Sequence, residues 1–434
     1  MTRSIAGRKD YMKDKLLEMA FTEPERWRAA IEKGLGKGIN KMVLRELCSE
    51  KTRVEIYQSI RNGTYEIAPP HTAQIPKDEP GQFRTVYVNE PMDRVLLSLI
   101  NDLLFDTCKD MVHPACMSYQ KGLSCGTVVE QLSKNVDRWN TDAIVGWKAD
   151  LSKYFDSVPI EFIDWAFNEA EVRNGHSALI DVLRKYYHSD LYFDENSVLC
   201  HKYQSLKQGC AVAAWLADVV LYDVDKQLDV LQGIYKRYSD DIVFIGPDHE
   251  RALGILRAEL INRRMALNPK KLEMIDRNHW FKFLGFSIKG KDISLSSNGI
   301  KKFQKAIEEA TIDRRNASYK SALHAVYRAL YKGYDGHSWA TRVLRVVNVP
   351  HDLIVLNGFV MDCLRAVQTG KRKVGGLGYV REQKNGCIAR GTGRNVKRNK
   401  EKVPTLEGYY TITCMANNLH TSRDMFETII RLEM

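Results

Sequence analysis

Two adjacent aspartates, Asp240 and Asp241, are bracketed by "GIYKRYS" and "IVFIG", runs rich in β-branched and aromatic residues. That arrangement predicts strand, tight turn, strand, with the acid pair at the hairpin tip. Acid pairs are common in turns, where carboxylates accept backbone hydrogen bonds and face water, so the pair alone does not define a site. Two carboxylates forced together repel unless a cation lies between them, and hard oxygen donors of this kind suit Mg²⁺. The chain therefore has to be searched for a partner acid.

A partner lies about 90 residues upstream in "VGWKADLSKYFDSVP", where Asp150 ends an apolar stretch read as a buried strand running into a turn. If that strand pairs with the hairpin, its carboxylate projects beside the tip. Three acids on neighbouring strands are what a two-metal site needs: two Mg²⁺ ions about 3.5–4 Å apart activate an attacking hydroxyl and stabilise a leaving pyrophosphate.

Composition narrows the partners. The chain has 434 residues, of which 65 are Lys or Arg and 54 are Asp or Glu, for a net charge of +11. With a hydrophobic content of 44%, it is a folded protein rather than a disordered one. The basic balance favours a polyanion, nucleic acid or a membrane surface. No apolar run approaches the roughly 18 residues of a membrane span, and the start "MTRSIAGRKDYMKDK" has no apolar core of a signal peptide. A cytoplasmic protein without membrane association is expected. The nine cysteines show no CxxC spacing and the eleven histidines no HExxH, so reduced thiols are expected and no zinc site is indicated.

Along the chain, residues 1–60 read as helical, with "INKMVLRELCSEKTRVEIYQSIRNG" as one run closed by Gly63. "APPHTAQIPKDEPGQ" interrupts with four prolines and leads into the strand-like "FRTVYVN"; "PMDRVLLSLINDLLFDTC" is helical. A hairpin is expected near "SDLYFDENSVLCHKY", then one long apolar helix over "LKQGCAVAAWLADVVLYDVDKQLDVL". An amphipathic helix over about 248–265 and a short strand "WFKFLGFSI" follow the acid hairpin, and helices cover about 298–369. Residues 371–402 carry eleven Lys or Arg, two Glu and six Gly, which reads as a flexible basic loop or a nucleic-acid contact. A strand-like "GYYTITCM" and a helix opened by "TSRD" close the chain. No internal repeat is visible.

These segments resemble the ordered blocks of reverse transcriptases. "ADLSKYFDS" and "YSDD" match two defining blocks, and "IPKDEPGQFRTVYVNEPMDRVL", "MSYQKGLSCGTVVEQL", "LKQG", "LNPKKLEM" and "FLGF" fall in the family's order between about residues 62 and 288. The resemblance implies an α+β right-hand polymerase fold. Its parts would be an N-terminal helical extension (1–60), fingers and palm (61–290), a helical thumb (291–370) and a basic C-terminal element (371–434). It implies an RNA-directed DNA polymerase with a two-Mg²⁺ site held by Asp150 and Asp240, the Leu151 carbonyl as a further ligand, and Asp241 in support. Lys77 and Arg84 correspond to residues that hold the nucleotide triphosphate, Phe155 to the ring that excludes a 2′-OH, and Gln208 to the residue beside the incoming nucleotide. By residue type alone Phe155 could be core and Gln208 a helix cap. Lys271 corresponds to a candidate general acid for pyrophosphate, a solvated surface lysine being the alternative. In the basic segment, Lys371, Arg372, Lys373, Arg390, Arg394, Lys397 and Arg398 are the candidate RNA contacts, and Tyr379 could stack on an unpaired base.

The sequence also departs from the family. Ala213 and Ala214 stand in "QGCAVAAWLAD" where most bacterial members have Ser-Pro and diversity-generating members Ser-Gln. No retron-type Val-Thr-Gly, His-Asn endonuclease tail or RNase H acid set is recognisable. By elimination the chain is most similar to non-mobile, defence-associated bacterial reverse transcriptases, with a structured non-coding RNA, its cDNA and dNTPs as expected partners and oligomeric state open. The alternatives are another retroelement enzyme, an RNA-binding scaffold without catalysis, and template-independent synthesis primed by a protein hydroxyl such as Tyr409 or Tyr410.

Overall fold

The computed structural model describes residues 14–36, 38–77, 81–135, 142, 144–315, 317–332, 338–339, 343–370, 380–382 and 388–390. Among these the strands are β1 (His71–Pro76), β2 (Phe83–Val88), β3 (Ile144–Asp150), β4 (Leu191–Phe193), β5 (Leu199–His201), β6 (Ile234–Tyr238), β7 (Asp241–Ile245), β8 (Glu273–Asp276), β9 (Phe281–Phe283), β10 (Phe286–Lys289), β11 (Asp292–Leu295), β12 (Val380–Glu382) and β13 (Ile388–Arg390). The α-helices are α1 (Lys15–Thr22), α2 (Pro24–Gly36), α3 (Lys41–Leu47), α4 (Glu50–Arg61), α5 (Pro91–Thr107), α6 (Cys125–Lys134), α7 (Tyr154–Ser157), α8 (Ile160–Asn174), α9 (Ala178–His188), α10 (Ala213–Val219), α11 (Tyr222–Asp229), α12 (His249–Asn262), α13 (Ser297–Ala310), α14 (Tyr319–Tyr327) and α15 (Pro350–Thr369). The chain forms two compact units, one of Met1–Lys121, Ala149–Leu231 and Arg251–Lys271, the other of Gly122–Lys148, Gln232–Glu250 and Leu272–Met434. The division falls inside β3.

In the first unit α5 is the central helix. Val95, Leu96, Leu97, Leu99, Ile100, Leu103 and Leu104 are all buried, so it is apolar nearly all round, and α1, α2, α3, α8 and α10 pack on it. Pro91 opens it, where a missing N–H costs nothing. The Asp93 carboxylate in its first turn accepts hydrogen bonds from the Tyr65 hydroxyl (2.7 Å) and the Ala68 amide (3.0 Å). A sheet of order β2-β1-β4-β5 lies in the same unit. Its β1–β4 contact is a single parallel pair, His71 with Phe193, reinforced by stacking of the two rings at 4.7 Å.

In the second unit β6 and β7 form an antiparallel hairpin within the order β6-β7-β3-β8. Trp147 of β3 stacks on Phe244 of β7 at 6.2 Å, and its indole N–H donates to the His249 carbonyl at 2.7 Å. A Cβ on Gly146 would collide with the Phe244 carbonyl, so only glycine lets the β7 backbone come this close. A second sheet, β11-β10-β9, is tied to α15 by the Ser294 hydroxyl, which donates to Asp352 at 2.6 Å.

The acid hairpin and most helices fall where periodicity predicts them, and five boundaries differ, one being the helix expected up to residue 369 from about 338, which begins at Pro350. "HTAQIP" is strand β1, not a proline-broken loop: Pro76 ends the strand, where a missing donor is tolerated. The helix expected over 39–63 is two, because Ser49 caps α4 by accepting the Thr52 amide. The long helix expected from Leu206 begins at Ala213 and is split into α10 and α11. "WFKFLGFSI" is not one strand but β9 and β10 joined through Leu284 (φ 49°) and Gly285 (φ 84°). "GYYTITCM", "TSRD", Tyr379, Tyr409 and Tyr410 lie outside the described residues.

Asp14 anchors the N-terminal helices to the rest of the first unit. One carboxylate oxygen caps α1 through the Leu17 amide (2.9 Å), and the other accepts the Ala178 amide at the start of α9 (2.7 Å). Asp14→Ala leaves buried donors unpaired at two helix N-termini. The variant is expected to be about 1–3 kcal/mol less stable, measured as a lower urea midpoint with an unchanged slope.

Candidate active site

The acid pair is presented by a two-residue turn. Tyr238 pairs with Asp241, leaving Ser239 and Asp240 as the loop, with Ser239 at φ 59°. A left-handed residue at the first central position matches the right-handed twist of the flanking strands. A serine there carries strain that glycine would not. Beneath the turn Arg237 is fully buried, and its guanidinium donates to the Ser239 carbonyl at 3.2 Å. Asp240 and Asp241 are half-buried. β7, which Asp241 opens, is the sheet neighbour of β3, which Asp150 ends.

In the first unit the chain beyond β3 runs antiparallel to the Ala266–Asn268 segment. The Ser152 amide donates to the Ala266 carbonyl (2.8 Å) and the Asn268 amide to the Asp150 carbonyl (2.8 Å). These two bonds flank the Leu151–Leu267 bridge and leave the Leu151 carbonyl outside it. The Asn268 side chain accepts the Lys270 amide (3.1 Å), and the turn brings the Lys271 ammonium to 2.6 Å from Asp150 Oδ2. The Asp150 side chain is 10% exposed and that of Lys271 59%. Lys271 is thus ion-paired to the predicted ligand rather than simply solvated. The donor set, carboxylates with a peptide carbonyl, is the hard oxygen chemistry a divalent cation takes.

Of the remaining nucleotide candidates, Phe155 and Gln208 meet one loop through backbone hydrogen bonds. Lys153, at φ 49°, reverses the chain into α7. Phe155 is half-buried, its ring edge-on to Tyr154 at 5.7 Å, and its carbonyl accepts the Leu206 amide at 3.1 Å. Tyr154 is buried and donates to the Ala217 carbonyl at 2.6 Å, so of the adjacent rings it is the core residue. Gln208 is not a helix cap. It lies five residues before α10, and its carbonyl accepts the Tyr87 amide of β2 at 2.7 Å. Tyr87 is buried, its hydroxyl pushed up to about 12 by burial and by the neighbouring Asp156. Burial likewise raises Asp156, opposed by Lys202, Lys153 and Lys77. Lys77 is exposed at the end of β1 and Arg84 is exposed on β2. Arg84 has no ion-pair partner among the described residues, and strand alternation places it on the opposite face of β2 from Tyr87.

Tyr87, Asp156, Lys207 and Arg237 were not singled out from sequence. The "LKQG" and "KRYSDD" stretches contain the two cations, but nothing local signals that a Lys or an Arg will be buried. Of the basic candidates only Arg390 falls among the described residues, in β13, which pairs with β12. Lys371, Arg372, Lys373, Arg394, Lys397 and Arg398 lie outside them. No helix among the described residues is long and apolar enough to cross a membrane.

Residues 75–288 match the family described as reverse transcriptase (RNA-dependent DNA polymerase). No curated protein matches the chain. Solved structures similar to it include apo telomerase from Candida tropicalis, at 12% identity and a TM-score of 0.45 over 70% of this chain and 58% of that one. Another is telomerase from Candida albicans in complex with the TWJ fragment of telomeric RNA, at 12% identity and a TM-score of 0.41 over 70% and 60%. The chain spans less than two thirds of the length of either. The fold is the right-hand polymerase fold with mixed helices and sheets.

Gly209 (φ 106°) tests the loop: a Cβ there would lie 2.8 Å from the Tyr87 carbonyl oxygen. Gly209→Ala is expected to cost about 2–3 kcal/mol and to raise amide exchange at Tyr87 well above its neighbours, as read by hydrogen exchange.

Proposed function

The chain carries a reverse transcriptase domain, the family of RNA-directed DNA polymerases, and from that premise we propose that it copies a structured non-coding RNA into DNA from dNTPs as part of bacterial antiphage defence. One observation carries the polymerase reading: the two acid-bearing strands are neighbours in one sheet, Asp150 closing β3 and Asp241 opening β7. Asp150, Asp240 and the Leu151 carbonyl would hold two Mg²⁺ ions, with Asp241 in support. The ions would supply charge stabilisation at the reacting phosphate.

The chain's own residues do the rest. Asp150 is ion-paired with Lys271 at 2.6 Å, and that ammonium can hand a proton to the departing pyrophosphate. Phe155 offers a ring face to the sugar and leaves no room for a 2′-OH. Lys77 and Arg84, both exposed on the β1–β2 hairpin, bind triphosphate, the guanidinium through paired hydrogen bonds and the ammonium as a point charge. The basic residues from Lys371 to Arg398 grip RNA phosphates, which makes binding salt-dependent. The defence assignment is supported by Ala213 and Ala214 in place of the Ser-Pro and Ser-Gln of other lineages, and its setting is the cytoplasm.

Sequencing the RNA and DNA that copurify with the wild type and with an Asp240→Ala, Asp241→Ala variant tests the reading. A discrete cDNA only in the wild type, with its RNA in both, is the expected result. RNA bound equally with no DNA in either, with or without phage challenge, would sink it in favour of a scaffold. Phe155→Ala is expected to lower discrimination against ribonucleotides about 10- to 100-fold, measured as the ratio of kcat/KM for dTTP and UTP.

A further inference from the structure

Alternate residues of one short loop, Ser205 (φ 50°), Lys207 (φ 51°) and Gly209 (φ 106°), have left-handed backbones. Two of the three carry side chains, so the conformation persists only where the surroundings hold it. Ser205 is held by its hydroxyl, which donates to the Val158 carbonyl at 2.8 Å. Lys207 is held by its ammonium. The residue is 1% exposed, and the Nζ donates to the Ser189 carbonyl at 2.8 Å and to Gln204 Oε1, 4.9 Å from the centre of the Tyr186 ring. Ser189 is the C-cap of α9, where the helix dipole presents its negative end. Gln204, also buried, donates from Nε2 to the Asp190 carbonyl at 3.1 Å.

No carboxylate among the described residues forms an ion pair with this ammonium. A carbonyl, an amide oxygen and an aromatic face carry the charge instead. Burial lowers Lys207 to about 8, opposed among other groups by Asp190. Burial raises the Cys210 thiol and the Tyr186 and Tyr187 hydroxyls around it, keeping them neutral. A methionine would fill the same space without desolvating a charge. What the charge adds is a fixed link between the loop and the end of α9, one residue before Gln208.

We propose that Lys207 is a positioning residue of the nucleotide site: its ammonium locks the Gln204–Cys210 loop onto the C-terminal end of α9 and so sets Gln208 and Gly209 against Tyr87 to receive the incoming deoxynucleotide. The inference rests on the reading of the Gln208 loop as the nucleotide floor. It assigns no contact between Lys207 and substrate.

The test is primer extension by the full chain on poly(rA) primed with oligo(dT), with dTTP varied, for the wild type, Lys207→Met and Gln204→Leu. Both substitutions remove the lock and keep the packing volume, so either one alone suffices if the other does not fold. The expected result is a dTTP KM raised about five- to tenfold, the scale of one lost hydrogen bond, with kcat at saturating dTTP within twofold of the wild type. A lower melting temperature with unchanged KM, or a loss confined to kcat, would show Lys207 to be merely structural and overturn the inference. If the wild type itself fails to extend the primer, the polymerase reading falls and takes the inference with it; a wild type that extends beside variants of unchanged KM overturns the inference alone.

Discussion

The close approach of β3 and β7 sets the register of the acid-bearing sheet. It depends on a missing side chain: Gly146 leaves room for the Phe244 carbonyl, and the Trp147 ring settles on Phe244 one residue further on. A one-residue slip would exchange the faces of every side chain on the strand, and the indole would lose its acceptor at His249. β3 ends at Asp150 and β7 begins at Asp241.

Much of this was legible in the sequence where the signal is local and periodic. The hairpin around Asp240 and Asp241 could be read because apolar alternation stops at a polar pair and resumes. Asp150 could be read as a strand terminus because "AIVGW" precedes it. What escaped depended on distant partners. β1 is hidden by its prolines and is stabilised by β2 and by one pair with Phe193, more than a hundred residues away. Gln208 looked like the first polar residue of a helix because "AVAAWLADVV" follows, yet its carbonyl belongs to Tyr87. Lys207 and Arg237 were not singled out, since their acceptors include backbone carbonyls that no residue type announces.

The region outside the family match is integral to the fold. Asp14 joins the starts of α1 and α9, Lys15 donates to Asn174 at 3.2 Å, and Arg26 pairs with Asp106 on α5 at 2.8 Å. Buried Trp27 donates to the Ala20 carbonyl at 2.8 Å. Among these contacts the buried caps and aromatic packing contribute most. The N-terminal helices are therefore part of the first unit's core rather than an appendage beside it.

The two units are threaded through one another along the chain, which passes between them after Lys121, Lys148, Leu231, Glu250 and Lys271. Neither can be cut out as a continuous fragment. During synthesis the first unit lacks its last segment until Lys271 has left the ribosome, when more than half of the chain has been made. The nascent chain must keep the buried apolar side chains of α5 out of aggregates until the later segments arrive. A chain interleaved in this way makes a demand on chaperones that a protein of the same size built from consecutive domains would not.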